Sequence, residues 1–348
     1  MLQGSRPHGR SGPLHHPAFL NDPLRHEVLR YANWGLAWRT NRTYGSGERR
    51  FIRFCLMHRL VHDSGDILPA FEGTLIYFAS YLAWSVCHST IRLYLAAVRN
   101  LHISCGHSDP LVGKLLLRKV LRGILRYQGQ HRVLRQPVTP GVLLAIGPFL
   151  RSWLGSSDFS MVWAAFTLAF FGFLRCSEFT YQGVNKYCSR FDLGTESGSF
   201  VPSLASPQHM VITLLLSKAD PFRADQSLLI ARADSSLCAV TAMQHYYQFV
   251  APPPGPLFIF RSGRLLTRAT STSLLRDAAR HAGLPFHSLK GHTCSFRIGA
   301  ASSAAAAGLP DWLIKVMGRW SSDCYQLYIR TPKQVLLSAA PRMASSSP

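Results

Sequence analysis

Between Phe159 and Leu174 the chain reads FSMVWAAFTLAFFGFL, sixteen residues without a charge, and then turns polar at Arg175 and Glu178. Apolar surface on every side of a helix has to be covered on every side, because its exposure to water is what folding removes. The run is shorter than the ~20 residues a spanning helix needs. The sequence therefore predicts a buried central helix with a globular domain wrapped around it. At 348 residues and 47% hydrophobic content the chain can build such a core and still hold a second domain.

The charge is as telling as the core. Lysine and arginine number 38 against 17 acidic residues, a formal net charge of +21, which implies a polyanionic partner, either nucleic acid or an anionic membrane surface. The opening MLQGSRPHGRSGPLHHP is polar and rich in Pro and Gly, with no apolar core of a signal peptide, and residues 1–24 read as a disordered basic tail. Eight cysteines are scattered without a CxxC pair, which suggests a reducing compartment and no structural zinc.

In residues 25–134 the apolar spacing is helical throughout. Two helices are expected over Arg25 to Leu60, one over Phe71 to Trp84, one from an N-cap at Ser89 through Leu101, and one over Lys114 to Tyr127. The last places Leu117, Val120, Leu121 and Ile124 on one face and Lys114, Arg118, Arg122 and Arg126 on the other. A basic face is commonly just a solvated one; with this net charge, Arg92, Arg99, Arg118, Arg122 and Arg126 are candidate contacts to DNA. Gln128 to Thr139 reads as a linker, with the boundary near Arg135.

Residues 135–340 predict helices over Val142 to Trp153, Phe159 to Leu174, Leu237 to Val250 and Thr270 to His281. A loop is expected over Phe191 to Pro207, a strand from His209 to Ser217, a partner strand at Ser227 to Ala231 and a short strand at Leu257 to Phe260. The fold class expected is mainly α with a small β-sheet.

Chemistry gathers at a few positions. Arg175 in GFLRCSEF and Arg297 in CSFRIGAA are flanked by core residues. Each could simply pair with a local carboxylate, Glu178 in the first case; two such arginines would equally make a phosphodiester clamp, since guanidinium forks bind phosphate oxygens and stay charged when partly buried. Lys218 ends a strand before a tight turn, where it is either a surface lysine or a proton donor to a leaving oxygen. Tyr325 and Tyr328 are either half-buried aromatics or, for a phenol held by arginines, a nucleophile. No GxxxxGK(S/T) loop, HExxH or acidic cluster points to a nucleotide or a catalytic metal.

In order and spacing, GFLRCSEF, LLLSKADP, SFRIGAASSAAAAGLP and GRWSSDCYQLYI resemble the active-site boxes of the tyrosine recombinases, the phage-integrase-type site-specific recombinases. The resemblance spans nearly the whole chain and is nearest to eukaryotic, transposon-borne DIRS-like and Crypton-like members. It implies an all-helical, SAM-like core-binding domain over residues 25–134 and a mixed α/β catalytic domain over 135–340, clamped on double-stranded DNA as a homotetramer. Nuclear location, no cofactor, no metal and no membrane go with it. It also implies roles: Arg175 and Arg297 as phosphate clamps, Lys218 as general acid, Trp320 beside the phosphate, and Tyr328 rather than Tyr325 as the nucleophile forming a 3′-phosphotyrosyl intermediate. The family usually carries His or Lys where this chain has Cys294, with His292 two residues earlier. That departure raises the alternative of a catalytically impaired, transposon-derived DNA-binding protein.

Overall fold

The computed structural model describes residues 23–129, 136–214, 226–284 and 296–330, with residues 337 and 341. The N-terminal tail therefore lies almost wholly outside the described residues, as do Lys218, His292 and Cys294. The chain divides into two compact units, Met1–Val133 and Leu134–Pro348.

The described part of the first unit is helical: α1 (Pro23–Trp34), α2 (Trp38–Met57), α3 (Glu72–Ala83), α4 (His88–Ser104) and α5 (Leu115–Gln128). Phe51, Phe54, Leu75, Phe78, Leu82, Ile91, Leu95, Val98 and Leu117 form its core. His102 is buried with them; its Nε2 accepts from the Ala70 N–H at 2.9 Å and its Nδ1 donates to the Val98 carbonyl at 2.7 Å. Burial lowers its pKa, which favours the neutral ring that this pairing needs.

Two expectations are corrected here. The N-cap of α4 is Cys87, not Ser89: the chain enters the helix two residues early, and the Ser89 hydroxyl contacts Cys87 Sγ at 3.2 Å from inside the first turn. Gln128 belongs to the first unit rather than to a linker. Its Nε2 donates to the Ala83 and Val86 carbonyls and its Oε1 accepts from the His88 N–H, so it fastens the end of α5 to the α3–α4 turn.

The second unit holds α6 (Pro140–Trp153), α7 (Ser156–Phe171), the short α8 (Cys176–Phe179), α9 (Ala239–Phe249), α10 (Arg268–His281), α11 (Phe296–Ala306) and α12 (Asp311–Met317). As its uncharged sequence requires, α7 is buried along nearly its whole length, from Ser160 to Phe170, and packs against α6, α9 and α11. The strands β1 (Gly198–Val201), β2 (His209–Leu214) and β3 (Gln226–Ala231) form an antiparallel sheet in that order. Met210 opposite Ile230 and Ile212 opposite Leu228 make its buried face, while Leu229 points out.

The sheet departs from expectation in two places. β1 lies inside the stretch expected to be a loop, and Leu257 to Phe260 is not a strand. Its contacts are single rungs instead: Ile259 bridges Leu265, and the Leu257 N–H goes to the Leu193 carbonyl at 3.1 Å. A tight turn at 260–264 uses up the backbone that a longer ladder would need.

Candidate active site

The site is built at helix ends. At the end of α7 the Phe173 and Leu174 N–H groups bond back to the carbonyls of Phe170 and Ala169; at the end of α12 those of Arg319 and Trp320 bond back to Val316 and Lys315. Both are Schellman turns, whose turning residue takes a left-handed conformation and is usually glycine. Gly308 (φ 76) makes the same turn after α11, whereas Phe173 (φ 49) and Arg319 (φ 56) make it at the site. The two strained turns bring the sequences GFLR and GRW together.

Glu178 lies at the centre of the polar cluster, its side chain 3% exposed. Its Oε1 accepts from Arg175 Nη1 at 2.6 Å, and its Oε2 accepts from the Arg175 backbone N–H at 2.9 Å and from Arg319 Nη2 at 2.7 Å. Arg319 Nη1 also donates to the Gly172 carbonyl at 3.0 Å, tying the end of α12 to the end of α7.

Arg297, in the first turn of α11, is only 2% exposed. Its Nη2 donates to the Gly318 carbonyl, and its Cζ lies 4.2 Å from the centre of the Trp320 ring and 6.0 Å from that of Tyr328. Its Nε and Nη1 are buried and have no hydrogen-bond partner among the described residues. Burial first, and then the neighbouring Arg175 cation, push the guanidinium down to about 9, with Glu178 acting against them. It is still charged at neutral pH.

The aromatic wall is Trp320, with Phe173 edge-on at 6.3 Å, Tyr325 at 6.1 Å and Tyr328 at 5.2 Å between ring centres. Gly318 permits this packing, since a Cβ there would overlap the Trp320 ring. Likewise Gly299 lets α11 lie against the Val138 carbonyl, where a Cβ would collide with backbone. The run of small residues in α11 thus gives close backbone approach. Tyr328 follows a 3₁₀ turn over Asp323–Leu327 and is half-buried, whereas Tyr325 within that turn is buried. Ser302 holds the segment to α11, donating to the Tyr328 carbonyl at 3.3 Å and accepting from the Arg330 N–H at 2.9 Å.

Of the residues singled out from sequence, Arg175, Arg297, Trp320 and Tyr328 thus come together, while Lys218 and Cys294 lie outside the described residues. Arg175 satisfies both readings given to it: it pairs with Glu178, and with its side chain 24% exposed it remains reachable. Arg319 was not singled out. Its partner Glu178 is 141 positions away, a pairing no local pattern reveals. In the first unit Arg92, Arg118, Arg122 and Arg126 are exposed, and Arg99 pairs with Asp109 at 2.6 Å.

A cavity of about 370 Å³, lined among others by Arg151, Phe159, Trp163 and His245, shares no residue with this cluster. No helix of the described residues is long and apolar enough to cross a membrane.

No family model and no curated protein matches the chain. Solved structures do. XerH site-specific recombinase, in a post-cleavage complex with a palindromic difH substrate, is 12% identical over 87% of this chain and 80% of its own, with a TM-score of 0.59. A lambda integrase dimer bound to a COC′ core site is 12% identical over 88% of this chain and 77% of its own, at 0.51. The Tn1549 transposon integrase with circular intermediate DNA is 12% identical over 91% and 97%, at 0.50. The mainly helical fold with its small sheet is thus the fold of site-specific recombinases and integrases.

Proposed function

We propose that this chain cuts and rejoins double-stranded DNA as a tyrosine-type site-specific recombinase or integrase. The observation that carries the reading is Arg297: a buried guanidinium with two unpartnered nitrogens, facing Trp320 and Tyr328 beside a second arginine. A fold does not bury a cation with unsatisfied N–H groups for stability alone, because each costs free energy; an incoming phosphate oxygen would satisfy them.

In this reading the Tyr328 phenol releases its proton to solvent, the resulting phenolate oxygen attacks the scissile phosphorus, and the bond to the 5′ oxygen breaks. The products are a 3′-phosphotyrosyl linkage and a free 5′-hydroxyl, so the phosphodiester bond energy is kept for rejoining. Arg175 and Arg297 hold the non-bridging oxygens and stabilise the charge that develops on them. Lys218 gives the proton to the leaving 5′ oxygen. Tyr328 is favoured over Tyr325 by its exposure as well as by its spacing. Trp320 packs against both the Arg297 cation and the Tyr328 ring, which themselves lie 6.0 Å apart, and so helps hold the two in place.

Duplex DNA as the partner is supported by the +21 charge, by exposed Arg92, Arg118, Arg122 and Arg126, and by the DNA held in the recombinase and integrase structures of like fold. A homotetramer on DNA, a nuclear location and descent from a DIRS-like or Crypton-like element belong to the same proposal and rest on the sequence resemblance. The test is a nicked suicide duplex, on which the cleaved strand diffuses away and leaves the protein covalently attached. Attachment that survives denaturant and disappears in Tyr328→Phe supports the reading; attachment unaffected by that substitution refutes it.

A further inference from the structure

We infer that Arg319 is a positioning residue of this site. It holds the Glu178 carboxylate in place and offsets its charge, so that Arg175 and Arg297 stay oriented toward, and available to, a phosphate or phosphodiester anion. The inference rests on the proposed function for its substrate, but its geometry stands apart from it.

Three observations meet at Arg319. First, both of its terminal nitrogens are committed, one to Glu178 and one to the carbonyl of Gly172 at the end of α7. Glu178 thereby receives three donors, of which two come from Arg175. A buried carboxylate with one guanidinium partner would draw that partner inward; a second partner lets Arg175 orient on Glu178 by one nitrogen and keep the rest of its fork accessible.

Second, the charges count. Arg175, Arg297 and Arg319 against Glu178 leave a formal excess of two positive charges in a largely buried cluster. A phosphodiester monoanion attacked by a phenolate passes through a dianionic arrangement, which that excess matches. Without Arg319 a single positive charge is left. Where the family resemblance leads one to expect a His or Lys at residue 294, this chain has Cys294. Arg319 brings a cation from a different box.

Third, the backbone is strained to hold it. Arg319 occupies the left-handed position of a Schellman turn at φ 56, which glycine takes at no cost and which costs other residues about 1 kcal/mol or more. Gly308 shows that the chain uses glycine for this turn where no side chain is needed. A side chain kept at such a position has work to do there.

The test is binding of inorganic phosphate to the full chain by isothermal titration, beside the rate of covalent attachment to the nicked duplex. Arg319→Gln is expected to weaken phosphate binding by about tenfold, the scale of one charge-assisted interaction, and Arg319→Lys to stay within about threefold of the parent. The discriminating variant is Arg319→Gln combined with Glu178→Gln, which removes the carboxylate that Arg319 offsets. It should recover binding to within about threefold, whereas a merely structural Arg319 would make the double variant worse than either single one. Arg190→Gln, which removes the same charge from an exposed turn, should leave phosphate binding unchanged.

Phosphate binding by Arg319→Gln equal to the parent overturns the inference. So does failure of the double variant to recover, or a parent whose phosphate binding survives Arg297→Met, since the anion is then elsewhere. If the phosphate cycle behaves as expected while no duplex is attached through Tyr328, the recombinase reading fails and the role of Arg319 stands.

Discussion

Arg297→Met separates what the site does for chemistry from what it does for stability. Two buried guanidinium nitrogens of Arg297 lack partners among the described residues, a cost of about 1–3 kcal/mol each, or ~4 kcal/mol together. Against this stand the contact of Arg297 with the Trp320 ring, about 2 kcal/mol when desolvated, and the charge-assisted bond to the Gly318 carbonyl, about 2 kcal/mol. The two sides nearly cancel. Methionine fills much of the volume with an apolar, flexible chain, so the substitution should change stability by no more than about 1 kcal/mol, or roughly 3 °C in Tm for a unit of this size. Calorimetry of the full chain checks this, with Phe166→Ala as reference: that residue is fully buried in the same core, and its truncation should cost about 3–5 kcal/mol. Covalent attachment to DNA should meanwhile fall by roughly 10²–10³-fold, as for loss of one donor to a developing oxyanion. An Arg297→Met protein as unstable as Phe166→Ala would refute the reasoning, because the guanidinium would then be a structural element rather than a cation held ready for a ligand.

Four further outcomes are expected. Gly318→Ala should lose about 1–3 kcal/mol by overpacking, since its Cβ overlaps the Trp320 ring, and should slow DNA attachment as Trp320 leaves Arg297; thermal melts and adduct rates measure both. Replacing Arg118, Arg122 and Arg126 together by Gln should lower the slope of log K against log salt by about 2 to 3 in filter-binding titrations on duplex DNA, near 0.9 for each phosphate that is no longer neutralised. Cys294→His should raise the attachment rate by restoring a donor where the chain has a thiol, and a parent that is inert until so substituted would favour the DNA-binding alternative. Because Arg297 is held down to about 9 when folded, it releases its proton more readily there than in the unfolded chain. Its burial therefore penalises folding below about pH 9, and the penalty lifts as pH rises through that value; the stability of the parent relative to Arg297→Met should increase over that range.

Local pattern made most of the helices legible, because a helix announces its face every three or four residues and α7 announces its burial by having no polar face at all. The order of Arg175, Arg297, Trp320 and Tyr328 was legible too, since each sits in a recognisable local setting. What the sequence hid was pairing over distance. Glu178 reads as the neighbour of Arg175, and only the fold shows that it also receives Arg319 from 141 positions away. β1 was hidden among Gly, Ser and Pro because its strand character comes from its pairing with β2, not from its own residues. The opposite error, a strand at Leu257 to Phe260, arose from a short apolar run that the fold buries as a loop.

The most direct test of the central claim is to offer the full chain a library of nicked duplexes and recover, under denaturing conditions, whatever DNA is covalently attached. The result expected is a set of attached strands sharing a sequence, linked through a 3′-phosphate to Tyr328 and lost in Tyr328→Phe but not in Tyr325→Phe. No attached DNA, or attachment that persists without Tyr328, would contradict it.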